Sequence, residues 1–241
     1  MDRNTRLIDL VPRRPRTYVA LAVAGVVCVG VLEALFVIMP WLASRATDGR
    51  VASLDLDGEG SLAVWFSTTT LTAGALASCL VYAADAERGK GRRLWLWGAL
   101  CWLTMSIDEC SSVHEAFKEF MSHLTGERLI HDGTIWWVMG YFAVLSVTGL
   151  LILSRMRAAP TAAAVWLGTA LFYAVAVASE MAWILPKDNR GVMLEEGCEM
   201  LGNLCLLVSH LLFARHLIIS AEQAGESTQR RTIASAVPRA A

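Results

Sequence analysis

Apolar residues fall into six runs of membrane-crossing length, about 17–39, 61–84, 94–115, 133–153, 162–185 and 192–213, separated by shorter polar, charge-bearing connections. The pattern predicts an all-α fold, a polytopic transmembrane bundle of six helices occupying residues 17–218. Residues 1–16 form a basic lead-in in which Pro12 and Pro15 prevent a long helix, so it is expected to lie near anionic headgroups. Residues 219–241 are polar and rich in small side chains, and are expected to form a disordered tail.

Composition agrees with this pattern and adds an orientation. Of 241 residues, 55% are hydrophobic and 18% charged, too little charge for an ordinary soluble domain of this size. The net charge of −1 leaves no basic surplus for a nucleic-acid partner. Lys and Arg divide unevenly: 15 lie in the two tails and the second and fourth connections, against six in the other three. Both termini are therefore expected in the cytoplasm, with the chain in the cytoplasmic (inner) membrane. Most tryptophans fall at run ends, as expected for an interfacial belt; Trp102 does not. The six cysteines lie within the runs without Cys-x-x-Cys spacing, so they read as small residues at helix contacts.

The candidate chemistry is carried by acids inside these runs. Ser106-Ile107-Asp108-Glu109, with Ser112, His114 and Glu115 just beyond, closes the third run. The fifth holds Glu180, and the sixth opens Glu195-Glu196-Gly197-Cys198-Glu199 before continuing to Asn203 and His210. Ionisable groups in a membrane helix cost roughly 2.5–3.5 kcal/mol each on insertion scales, and such groups are usually retained for a task. At about 1.5 Å per residue, Asp108 and Glu109 lie about 21 Å beyond the start of their run, in the outer third of the bilayer core. Glu33 and Glu180 come late in outward helices, and Glu195, Glu196 and Glu199 come early in an inward one. Four helices thus place acids in one layer.

Around each helix, at 100° per residue, Glu195, Glu196, Glu199, Asn203 and His210 form one polar stripe, bordered by Gly202 where a neighbouring backbone can approach. Glu109 and His114 point about 140° apart on an ideal helix and meet only if that helix kinks. No Lys or Arg occupies the outer halves of these runs, so the carboxylates require either protons or a cation among them. His with Asp and Glu suits a divalent ion such as Zn, Fe or Mn. The candidate ligands are Asp108, His114, Glu115, Glu195, Glu196 and Glu199, with Glu109 or Glu180 as the catalytic base.

The set formed by Ser106-x-Asp108-Glu109, His114-Glu115, Glu180-Met181 and Glu195-Glu196-x-x-Glu199-x-x-Gly202 resembles that of a group of bacterial multi-span membrane proteins. The resemblance covers the third to sixth runs and implies an acidic intramembrane site without naming a reaction. Three functions fit the residues: a metal-dependent enzyme acting on a lipid or other apolar substrate, a proton- or cation-coupled carrier, and a scaffold subunit of a membrane complex. The enzyme is the preferred expectation, because the acids lie off the midplane and no Gly or Pro pair breaks a helix as carrier sites often require.

Overall fold

The computed structural model describes residues 9–44, 51–58, 60–85, 90–129 and 132–236. Arg3, Arg6, Arg45, Asp48, Arg50, Glu59, Arg88, His131 and Arg239, which entered the charge and loop readings, lie outside the described residues. The described chain is helical throughout: α1 (Pro15–Ala43), a single 3₁₀ turn (Ala52–Leu54), α2 (Leu62–Ala84), α3 (Lys90–Ser111), α4 (Val113–Thr125), α5 (Ile135–Met156), α6 (Pro160–Glu180) and α7 (Asn189–Ala236). Five of these, α1, α2, α5, α6 and α7, are long and apolar enough to cross a membrane. Proline opens α1 and α6, where its missing N–H costs nothing, and the Ser61 hydroxyl caps α2 by accepting from the Val64 amide at 3.2 Å.

The third run is not one helix. α3 ends at Ser111, Ser112 adopts the left-handed region at φ 50°, and α4 leaves in a new direction. Asp108 explains the break. Its backbone carbonyl still accepts from the Ser112 amide at 2.7 Å, while its carboxylate accepts from the His114 amide at 2.6 Å and so caps the next helix. α4 is amphipathic with an inverted sense. Val113, Phe117, Phe120 and Leu124 form an exposed apolar stripe, whereas Lys118 and Ser122 are buried.

α7 is the axis of the bundle, packed on α1, α2 and α6, while α3 packs on α2. Close approach marks the α2–α7 contact: a Cβ on Gly74 would stand 2.5 Å from the Leu206 Cδ2, so a larger residue there must displace the end of that side chain. Ser106 ties α3 to α2, bonding the Thr68 carbonyl at 2.8 Å and the Thr72 hydroxyl at 2.9 Å. Thr68 and Thr70 bond the carbonyls four residues back, Val64 and Phe66, the ordinary habit of threonine in membrane helices.

One end of the bundle gathers arginine. The Arg215 guanidinium donates to the Arg13 carbonyl at 2.9 Å, Arg13 pairs with Glu222, and Val11 is buried in the core. The lead-in therefore docks on α7. At the same end Asp85, 3% exposed, accepts from Trp95 Nε1 at 3.1 Å and from Arg155 at 3.2 Å. The last helix also runs further than its apolar content requires, continuing to Ala236 through a segment of Ala, Glu and Gln that favours helix.

Two side-chain expectations change. Trp41, Trp65, Trp97 and Trp183 are exposed as a belt requires, but Trp95, Trp102 and Trp166 are buried. They surround His210 edge-on, at ring distances of 5.8, 6.0 and 5.4 Å. His210, expected to cap the polar stripe or meet solvent, is instead fully buried with Nδ1 against the Leu206 carbonyl at 2.9 Å. Its bond to the preceding turn and its three indole neighbours make it a core residue.

Candidate metal centre

At the end opposite the arginines, the last turns of α3 meet the first turns of α7. Glu196 and Glu199, three residues apart, share a face of α7, and Glu109 faces them from α3. One carboxylate oxygen from each lies within 4.8 Å of the other two, and all three side chains are half-buried. Three anions at this separation repel one another unless protons or a cation lie between them. Side-chain rotations that draw these oxygens a little closer would bring all three to the carboxylate-to-metal distance of about 2.0–2.6 Å. Glu109, read from sequence as a base, thus stands with two of the expected ligands.

Asp108 and His114 form a second unit alongside. The Asp108 carboxylate accepts from the His114 ring Nδ1 at 3.2 Å and from the Tyr141 hydroxyl of α5. The other imidazole nitrogen, Nε2, lies 3.8 Å from Glu115. Burial pulls the His114 pKa down, but the Asp108 bond and the charges of Asp108, Glu115 and Glu199 outweigh it and lift the ring above its ordinary value. The left-handed Ser112 is the kink that brings this histidine towards the α7 acids. Tyr141 escaped the sequence reading because the run 133–153 carries no Asp, Glu, His, Lys or Arg to mark it.

The remaining candidates have partners of their own. Glu115 meets Lys118 at 2.5 Å. Glu180 accepts from Lys187 at 2.6 Å and from the Thr134 hydroxyl at 3.1 Å. Two lysines therefore reach the acidic layer from outside the long spans, one from α4 and one from the α6–α7 connection. Reading each run by itself could not show this. Gly202 admits the ring of Tyr173 rather than a neighbouring backbone: a Cβ there would stand 3.0 Å from Cε1. The Tyr173 hydroxyl donates to Asn203, and the Glu33 carboxylate lies against Gly197.

Lys118 also holds the connection after α4 by bonding Asp132 at 2.9 Å. Burial raises the Asp132 pKa, but bonds from Thr134 and Lys118 and the lysine charge outweigh it, holding the carboxyl well below its usual range. Burial likewise lowers Lys118, and its bonds to Glu115 and Asp132 more than restore it, leaving it raised. The Asp132 contribution is present above the unfolded carboxylate pKa of about 3.9 and is lost as pH falls through the lower folded value. The Lys118 contribution is present below about 10.4 and is lost as pH rises through its raised value. The Thr134 amide donates to Asp132 at 3.2 Å, so its protection factor is expected to hold through neutral pH and to fall as pH drops from about 4 through the lowered folded value. Lys118→Met should lower that factor throughout; equal protection in that variant would show that the lysine does not hold the loop.

Residues 19–214 match a family described as a domain of unknown function, DUF8692. The chain belongs to the DUF8692 family. The family match begins inside α1 and ends within α7, so it includes every acid of the site and excludes the basic lead-in and the helical tail. No curated protein and no solved structure matches the chain.

Proposed function

We propose that this DUF8692 protein is a metal-dependent enzyme of the cytoplasmic membrane. In this reading α3 spans with the other five long helices, both termini are cytoplasmic, and the site lies beneath the extracytoplasmic surface. The gathering of arginines at the end that holds the lead-in supports that orientation. The outward apolar stripe of α4 suits a helix lying in the membrane interface. The observation that carries the reading is the convergence of Glu109, Glu196 and Glu199 from two helices to within 4.8 Å.

A divalent ion held there would act as a Lewis acid and lower the pKa of bound water. Around it, His114 and Asp108 hold a proton between Nδ1 and Oδ1, at the place where a general acid or base is needed. Tyr141 fixes Asp108, and Tyr173 with Asn203 closes the inner side against the bundle core. The substrate is a lipid or another apolar molecule, since the site faces the hydrocarbon layer. A cation- or proton-coupled carrier is the second reading, because three carboxylates this close can share protons in place of a resident ion.

Metal analysis of the purified protein in lipid nanodiscs decides between these. The expected result is one divalent ion per chain, with Glu199→Gln lowering occupancy at least tenfold. A wild-type protein that neither retains nor takes up Zn, Fe or Mn, but carries a pH-dependent flux in vesicles, would replace the enzyme reading with the carrier.

A further inference from the structure

Between α3, α4 and α5 runs a groove of about 610 Å³. Two hydrogen bonds define its ends. Trp97 Nε1 donates to the Thr148 hydroxyl at 2.9 Å at one end, and the Tyr141 hydroxyl donates to Asp108 at the other. From Trp97 to Asp108 the α3 wall is eleven residues, about 16 Å of helix. Its walls are apolar, including Leu100, Met105, Phe117, Val144 and Leu145, and neither Lys nor Arg lines it. Polar groups are confined almost entirely to the end beside the carboxylate triad, where Asp108, His114, Trp137 and Tyr141 meet.

That end has unfilled hydrogen-bonding capacity. Asp108 accepts three hydrogen bonds, from the His114 amide, the His114 ring and Tyr141, and a carboxylate offers about four lone-pair sites. A hydroxyl placed there could donate to Asp108. A phosphate or sulfate head would meet no guanidinium or lysine in the groove and would face the Asp108 carboxylate instead.

We propose that this groove binds the alkyl chain of a single-chain lipid with an uncharged, hydroxyl-bearing head, and delivers that head to the edge of the carboxylate site. The substrate class is thus a long-chain alcohol or its monoacyl equivalent. This rests on the enzyme reading above for its chemistry, but the groove's occupancy stands on the groove's own geometry.

Gly140 provides the test. It lines the groove, a Cβ built on it meets nothing within 4 Å, and leucine is the better helix former, so Gly140→Leu fills the groove without disturbing the packing. The probe is ω-bromododecanol, whose bromine quenches the fluorescence of tryptophans it reaches, titrated into protein in nanodiscs. Saturable quenching is expected in the wild type and in Glu199→Gln, with at least tenfold weaker binding in Gly140→Leu. Val144→Trp, also on the groove wall, should repeat the loss if Gly140→Leu melts abnormally. Metal occupancy should show the opposite pattern: retained in Gly140→Leu and lost in Glu199→Gln. Failure of the metal arm alone would sink the enzyme and leave the groove. Quenching that is unsaturable, or equal in wild type and Gly140→Leu, would overturn the groove as a site. Tighter binding of ω-bromododecyl phosphate than of the alcohol would overturn the uncharged head.

Discussion

Replacing Glu196 and Glu199 together by glutamine should make the metal-free protein more stable, not less. Three carboxylates within 4.8 Å oppose one another, and a single pKa unit of such opposition corresponds to about 1.4 kcal/mol. The melting temperature of the metal-free double variant in detergent should therefore rise. The same substitution should abolish stabilisation by a divalent ion, which for the wild type is about 2.7 kcal/mol at a hundredfold excess over Kd. The two effects have opposite signs, which separates a binding site from a structural one. A double variant that melts lower than the wild type in the absence of metal would mean that the acids hold the helices together, and the scaffold reading would then stand.

The largest loss of stability is expected at the other end, from Asp85→Ala. The carboxylate is 3% exposed and receives both the Trp95 indole and the Arg155 guanidinium, so it links the α2 terminus to α3 and α5. Leaving the buried Trp95 indole N–H without its acceptor costs about 1–3 kcal/mol, and the loss of the pair with the part-exposed Arg155 adds to it. Asp85→Asn retains an acceptor for Trp95 but not the charge, and should fall between wild type and Asp85→Ala. Thermal or denaturant unfolding in detergent gives the ranking. A change below about 1 kcal/mol for Asp85→Ala would show that Arg155 finds an equivalent partner.

The long helices were legible because an apolar run has few ways to satisfy its backbone in lipid, and the hydropathy pattern is that constraint written out. The shared depth of Glu109, Glu180, Glu196 and Glu199 followed from a helical rise alone. What lay beyond such reasoning depended on direction and on partners from elsewhere in the chain. The break at Ser112 has no proline or glycine to mark it. It depends on Asp108 capping a helix that begins five residues later, a contact that periodicity cannot register. Lys118 and Lys187 were counted as loop charges, yet they fold back on Glu115 and Glu180. His210 looked like the end of a polar stripe, and only the three indoles packed around it make it a core residue.

α7 follows the other described helices along the chain, yet α1, α2 and α6 all pack on it, it carries two of the three convergent acids, and it anchors the lead-in through Arg215 and Glu222. While the ribosome is still making that segment, the earlier helices lack their common axis, and Glu109 waits without its counterparts. A nascent chain stalled before residue 189 should thus be cleared by membrane proteases, because the faces of α1, α2 and α6 that α7 covers are still open.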